Sequence, residues 1–478
     1  MSARAEGNLP KIIQGGMGVG VSGWRLARAV ALTGQLGIVS GVALDTIFVR
    51  RLQLGDPGGH VRRALASFPN AIAAERIVDR YFVEGGIEPE APFQLIPRLS
   101  LHPSEMAVDL IVAANFVEVF LAKEGHDGLV GVNYLEKIQM ATPAAAYGAM
   151  LAGVDYVVVG AGIPAELPGL LDALAAGRTG EVAVDVMGAG ASRFSVEARP
   201  TGPGGTGPEL KRPRFLAIVS SHVLASYLAR DERTSPDGFV VEGPVAGGHN
   251  APPRGPAVFD EDGQPVYGPR DEVDLEKLAA LGLPYWLAGG YASPGRLVEA
   301  VALGAAGVQV GSAFALSDES GFDASLKRSF IEHALSNSLH VRTDPVASPT
   351  GFPFKVADLP GSVADAAVYE HRRRVCEAGY LRIPYLRDDG GVGYRCPAEP
   401  LAAYVRKGGK KEDTEGRRCV CNGLIAAIGF GQRHPDGALE PPLATIGEDL
   451  SFLPELVHDG ATSYKAADVV RYLLGAPG

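Results

Sequence analysis

The stretch EGPVAGGHN, Glu242 to Asn250, sets a histidine behind two glycines at the end of an apolar run, Phe239 to Val241. Histidine has the side chain whose ordinary pKa lies nearest neutrality, so His249 is a candidate general base. Gly247 and Gly248 let the loop fold inward and carry the imidazole toward a site. A lone loop histidine is ordinarily inert, and two further turns argue against that reading here. In LAGGYASPGRLVEAVALGAAGVQVGSAFALSDES, Leu287 to Ser320, two apolar runs end in small-residue turns, Gly289-Gly290 and Gly311-Ser312. Such turns bring several backbone N–H groups close together, which a phosphate oxygen requires. One turn alone would read as tight geometry, but two at successive strand ends point to a phosphate site.

Three other groups of residues can carry chemistry. IIQGGMGVGVS, Ile12 to Ser22, offers Gly15, Gly16 and Met17 as a close-packed backbone wall for a flat ring such as an isoalloxazine. Asn133, in GVNYLEK, carries an amide that both donates and accepts, which suits the polar edge of such a ring. The alternative for Asn133 is a helix N-cap. Lys137, four residues on, either reaches the same mouth or is a solvated lysine. Four cysteines, Cys376, Cys396, Cys419 and Cys421, all lie in the last quarter of the chain. They can bind zinc or an iron–sulfur cluster, or be reduced, partly buried thiols; their spacing matches no standard zinc finger.

These residues need a scaffold that brings them to one face. Eight short runs rich in Val, Ile, Leu and Ala supply it: Lys11–Gln14, Leu36–Ser40, Leu129–Asn133, Tyr156–Gly160, Phe215–Ser220, Phe239–Gly243, Tyr285–Gly289 and Val308–Gly311. Helical stretches over 24–32, 144–151, 167–176, 221–230 and 294–303 alternate with them. The alternation predicts a (β/α)8 TIM barrel, whose strands are buried on both faces. An open doubly wound sheet is the rival, but no G-x-G-x-x-G follows the first run. Apart from the four cysteines, the candidate residues fall at or beyond the C-terminal ends of predicted strands, the functional face of such barrels.

Two stretches break the repeat. Residues 43–127 separate the second and third strands and read as an ordered insertion, with apolar runs at 93–96 and 116–121. Residues 181–208 read as a β-hairpin, EVAVDV and RFSVEA around Gly188-Ala189-Gly190, followed by a mobile TGPGGTGP loop. The barrel is assigned to 1–335. Residues 336–478 form a cysteine-containing extension, expected to act as a lid or a dimer contact.

Composition narrows the classes. The formal net charge of −11 and the lack of a long basic run argue against nucleic-acid binding. No run approaches the ~18 continuous apolar residues of a membrane span. The N-terminus MSARAEGNLPKIIQ has no apolar signal region, which predicts a cytoplasmic protein. Cysteines confined to the last quarter exclude a disulfide framework for the main fold.

The motifs IIQGGM, GVN, VVVGAGIP, EG…AGGH, LAGGYA and GVQVGSAFALSDES, spread over residues 10–330, resemble the nitronate monooxygenase (2-nitropropane dioxygenase-like) family of FMN-dependent barrels. The same motifs are similar to those of FMN-dependent enoyl-acyl-carrier-protein reductases. The resemblance implies FMN as cofactor and His249 as the base that works on substrate above the flavin. It implies that Gly289, Gly290, Gly311 and Ser312 hold the phosphate and that Gly247 and Gly248 lie beside the ring. Ser220, closing the fifth run, and Glu242, standing where the family often has glutamine, join this cofactor-binding set. A carboxylate near a flavin opposes further negative charge unless protonated or paired. The activity implied is oxidation of a nitroalkane or nitronate with O2. The alternative is an NAD(P)H-dependent reductase of an enoyl thioester, with NAD(P)H as reductant, and a third reading is a binding scaffold without turnover.

Overall fold

The computed structural model of the protein describes residues 9–200, 207–458 and 462–475. Eight strands form one sheet: β1 (Ile12–Gln14), β2 (Gly37–Ser40), β3 (Val130–Leu135), β4 (Tyr156–Gly160), β5 (Arg214–Val219), β6 (Gly238–Glu242), β7 (Tyr285–Ala288) and β8 (Gly307–Val310). All neighbours pair in parallel. The circle closes between β1 and β2, where Gln14 N donates to Leu36 O at 2.9 Å and Leu36 N to Ile12 O at 3.1 Å. The fold is a (β/α)8 barrel.

Strand alternation sorts the side chains into two cores. Ile13, Ile38, Tyr156, Val158, Leu216, Val240, Trp286 and Ala288 fill the interior. Their neighbours Ile12, Val39, Val157, Ala217, Val241 and Leu287 face the surrounding helices. The same parity carries Asn133, Glu242 and Gln309 inward at the C-terminal ends of β3, β6 and β8. In register, Glu242 and Gln309 both stand opposite Ala288 of β7. The barrel is therefore apolar through its middle and polar at its upper rim.

The stretch between β2 and β3 is an ordered helical insertion, as expected, but it includes the crossover element itself. Helices Leu44–Gln53, His60–Leu65 and Ala71–Tyr81 precede a long helix, Glu105–Lys123. That helix packs on Trp24–Ala31 and Thr142–Leu151, the place of a normal barrel helix. Phe116 to Leu121 belong to it, and all but the half-buried Phe120 are buried because its mostly apolar surface is enclosed on several sides. Residues 93–96, by contrast, have no regular structure. The hairpin pairs Gly180–Ala183 with Ser195–Ala198. Of the TGPGGTGP loop, residues 201–206 lie outside the described residues.

After helix Ala324–Leu335 the chain forms two more hairpins, Val341–Asp344 with Phe354–Ala357 and Ile383–Leu386 with Val392–Arg395, and several short helices. Its buried side chains, among them Phe354, Val420, Leu443, Phe452 and Val469, are continuous with the core outside the barrel. Its last helix, Ala466–Leu473, returns to pack against helices Trp24–Ala31 and Pro294–Ala302. Among the described residues no helix is long and apolar enough to cross a membrane.

Candidate active site

The C-terminal ends of the strands open into one cavity with about 1620 Å³ free of protein atoms, part of it open to solvent. Gly15, Gly16, Met17, Asn133, Glu242, Gly247, Gly248, His249, Gly289, Gly290, Gly311 and Ser312 all line it. Residues far apart in sequence converge because they occupy the same rung of a closed barrel.

The glycines are set by close approach. A Cβ at Gly16 would fall 2.1 Å from Asn133 Oδ1, so only glycine lets the β1 turn lie against that amide. Gly289 and Gly290 both have positive φ, 87° and 78°, which favours glycine and lets this turn curl at the cavity edge. The Gly311 turn leads into the short helix Ser312–Ala315. Ser312 Oγ accepts from Gly447 N at 3.0 Å, and its own hydroxyl hydrogen remains available to a ligand. Asp449 also lines the cavity near Gly290, with Oδ1 accepting from Ser451 N and Oγ.

Asn133 lies two residues before the end of β3 and caps no helix. Its Oδ1 is buried without a hydrogen-bond partner, and so is Oε1 of Gln309, another cavity residue. A buried polar atom with no partner costs about 1–3 kcal/mol, so these two oxygens mark a place built for a polar ligand. Gln309 was not singled out from the sequence. Its signal was strand parity: in GVQVGS it is the inward position just below the Gly311 turn.

His249 sits where β6's loop meets the extension. Its Nε2 hydrogen-bonds Ser348 Oγ at 2.7 Å, and Ser348 Oγ lies 2.9 Å from Thr350 Oγ1. The imidazole packs edge-on to Phe354 with ring centroids 4.8 Å apart. Backbone bonds from Lys355 N to Gly248 O and from Asn250 N to Pro353 O, 2.8 and 2.9 Å, fix the loop on the same hairpin. Burial lowers the His249 pKa to about 4, so the ring is neutral at pH 7. Burial raises the Glu242 pKa to about 7. The carboxylate that stood out in the sequence therefore titrates near neutrality, a value suited to moving a proton.

Two residues are placed differently from the rest. Ser220 lies outside this cavity and lines an adjoining one, with about 920 Å³ free of protein atoms, part of it open to solvent. β5 ends at Val219, and Arg254 Nη2 donates to both the carbonyl and the hydroxyl of Ser220. Lys137 is also away from the mouth, 3.2 Å from Glu136 and over the Phe352 ring. Glu242 and His249 line both cavities and, with Ala161 and Ile218, form the partition between them.

The extension supplies the roof. Tyr380, Leu381, Val420, Cys421, Leu424, Thr445, Ile446 and Gly447 line the main cavity, and Thr445 Oγ1 accepts from Gly248 N at 3.1 Å. Nothing in the sequence tied these residues to the site, since their contact depends on how the tail folds back. The four cysteines are free of disulfides. Among the described residues no group of three or more His, Cys, Asp or Glu side chains is placed to hold a metal ion.

Residues 212–344 match the family model for nitronate monooxygenase, so the resemblance read from the motifs holds over this segment. It spans β5 to β8 with His249 and the Gly289 and Gly311 turns, and it supports an oxidoreductase. No curated relative matches the chain. Among solved structures, FabK from Thermotoga maritima is 17% identical, with a TM-score of 0.47, over 98% of this chain and 92% of that one. Nitroalkane oxidase from Streptomyces ansochromogenes is 15% identical, with a TM-score of 0.46, over 98% and 95%. The enoyl reductase domain of MlnA from Bacillus amyloliquefaciens is 11% identical, with a TM-score of 0.48, over 97% and 93%.

Proposed function

We propose that the main cavity holds FMN and that the protein is an FMN-dependent oxidoreductase acting on a nitronate-like anion with O2. The observation that carries the cofactor assignment is the pair of buried, unpartnered oxygens on Asn133 and Gln309, set among glycine turns in which Gly16 has no room for a side chain and Gly289 and Gly290 have positive φ. Asn133 and Gln309 would hold the polar edge of the ring, while Gly15, Gly16 and Met17 would wall it. The backbone of Gly289, Gly290, Gly311 and Ser312 would take the phosphate. Bound FMN would supply a two-electron acceptor that oxygen can reoxidise.

The chain's own residues favour an anionic substrate. With a pKa of about 4, His249 is a weak base at neutral pH, and the barrier to removing a proton from a neutral nitroalkane stays high. A substrate already ionised to the nitronate avoids that step. Neutral His249 and protonated Glu242 leave the partition uncharged below pH 7, so an anion can approach it. Ser348 anchors Nε2, and Nδ1 would be the nitrogen that meets substrate.

A second reading rests on the adjoining cavity. Ile163, Ile218, Leu224, Pro252 and Phe352 give it apolar walls, and Glu242 separates it from the ring site. An acyl chain could lie there, with protonated Glu242 delivering the proton that follows hydride transfer to an enoyl thioester from a reduced cofactor supplied by NAD(P)H. The two readings separate in one assay on the purified protein. Oxygen uptake with nitronate, and no NADH oxidation with enoyl thioester, supports the first; the reverse pattern replaces it with the second.

A further inference from the structure

The four cysteines, though scattered over residues 376 to 421, line one small cavity in the extension, together with Pro349, Gly379, Leu381, Arg382, Ala398 and Glu399. About 260 Å³ there is free of protein atoms, part of it open to solvent. Cys376 arrives on the loop before Tyr380, Cys396 just past the second hairpin, and Cys419 and Cys421 at the start of helix Val420–Ala426. Three separate segments thus deliver every cysteine of the chain to the same place.

We propose that Cys376, Cys396, Cys419 and Cys421 ligate a four-iron, four-sulfur cluster in this cavity.

The arrangement fits a cluster better than the other uses of four thiols. The cysteines are not joined as disulfides. Among the described residues no group of three or more His, Cys, Asp or Glu is placed to hold a metal ion, which argues against a single tetrahedral zinc. A cubane has a separate iron for each ligand, so its four sulfurs stand further apart around a small enclosed space. Backbone amides are already aimed at sulfur: those of Tyr380 and Leu381 toward Cys421, and that of Ala398 toward Cys396. Amide bonds to sulfur stabilise thiolate charge and tune a cluster's potential.

Charge complementarity points the same way. Ligation forms four iron–sulfur bonds and releases the four thiol protons to water, leaving the ligated cluster anionic. Arg98 and Arg382 lie near Cys376 and Arg372 near Cys419, with Glu399 and Glu440 the nearby groups of opposite sign. A fold that collects all four thiols of the chain around one cavity beside three arginines has a simple rationale if they are ligands. Cys421, Leu381 and Val420 line both this cavity and the main one, so the cluster would lie one side chain from the proposed flavin. The cluster itself does not depend on the FMN assignment.

The test is iron, acid-labile sulfide and zinc analysis of the full chain, purified without oxygen from iron-replete cells. The expected result is about four iron and four sulfide per chain. A paramagnetic signal should appear on dithionite reduction and be separable from that of flavin. Cys376→Ser and Cys396→Ser should each lose the iron and sulfide while keeping the wild-type far-UV dichroism. If a variant fails to fold, the wild-type analysis alone decides. Less than one iron and one sulfide per wild-type chain, stoichiometric zinc, or full iron retention in folded Cys→Ser variants would overturn the proposal.

Discussion

Replacing Glu242 by Gln removes the one carboxylate at the partition between the two cavities and tests the electrostatics on which the substrate argument stands. Burial raises this carboxyl from 4.5 to about 7. The folded protein therefore binds the proton more tightly than the unfolded chain does. The sign follows by linkage: the stabilisation is full below about pH 4.5 and is lost as the pH rises to about 7. At about 1.4 kcal/mol per pKa unit, the loss between pH 5 and 8 is roughly 2–3 kcal/mol. His249 shifts the other way, from 6.5 to about 4, and its contribution is lost as the pH falls through that window. It is present in both proteins and cancels in the comparison. Urea unfolding of wild type and Glu242→Gln at pH 5 and pH 8 gives the number directly. The variant should gain roughly 2–3 kcal/mol on the wild type between the two pH values. An unchanged difference at both pH values would show that Glu242 is ionised in the folded protein, and the uncharged partition would have to be abandoned.

Other substitutions test other parts of the account. Gly16→Ala forces a methyl group into the Asn133 amide, and FMN affinity measured by fluorescence titration should fall about tenfold or more, the equivalent of one lost hydrogen bond. Ser348→Ala removes the anchor of His249, and kcat should drop roughly tenfold while Ser348→Thr retains most of it; equal kcat in all three would mean that the anchor is irrelevant to turnover. Glu440→Ala strands the buried Arg372 guanidinium, which lies 2.6 Å from it, and should cost about 3–5 kcal/mol in chemical denaturation.

The barrel was legible because its strands are short, apolar and punctuated by glycine, so their number and order could be read from the sequence. Strand limits moved by only a residue or two; β3 runs on to Leu135 and carries Asn133 inside it. Twelve candidate residues line one cavity because each lies close to the C-terminal end of a strand, a relation visible in sequence. Ser220 fell outside since Arg254, thirty-four residues away, holds it in the neighbouring cavity. Gln309 was missed because a polar residue inside VQVG looks like an interruption until its parity is compared with β7. The roof from the extension was illegible. Contacts such as Ser348 with His249 and Gly447 with Ser312 join segments 99 and 135 residues apart that carry no shared periodicity. Glu242 was recognised as a departure, but the direction of its pKa depended on burial that only the folded protein defines.

The central claim is that the glycine-walled cavity with its two unpartnered amide oxygens is a flavin site. The most direct measurement is the absorbance spectrum of the purified protein, followed by titration of the flavin-stripped protein with FMN. The account predicts flavin bands, release of FMN on denaturation, and rebinding at about one FMN per chain that weakens in Gly16→Ala and in Asn133→Leu. A colourless protein that takes up no added FMN would contradict it.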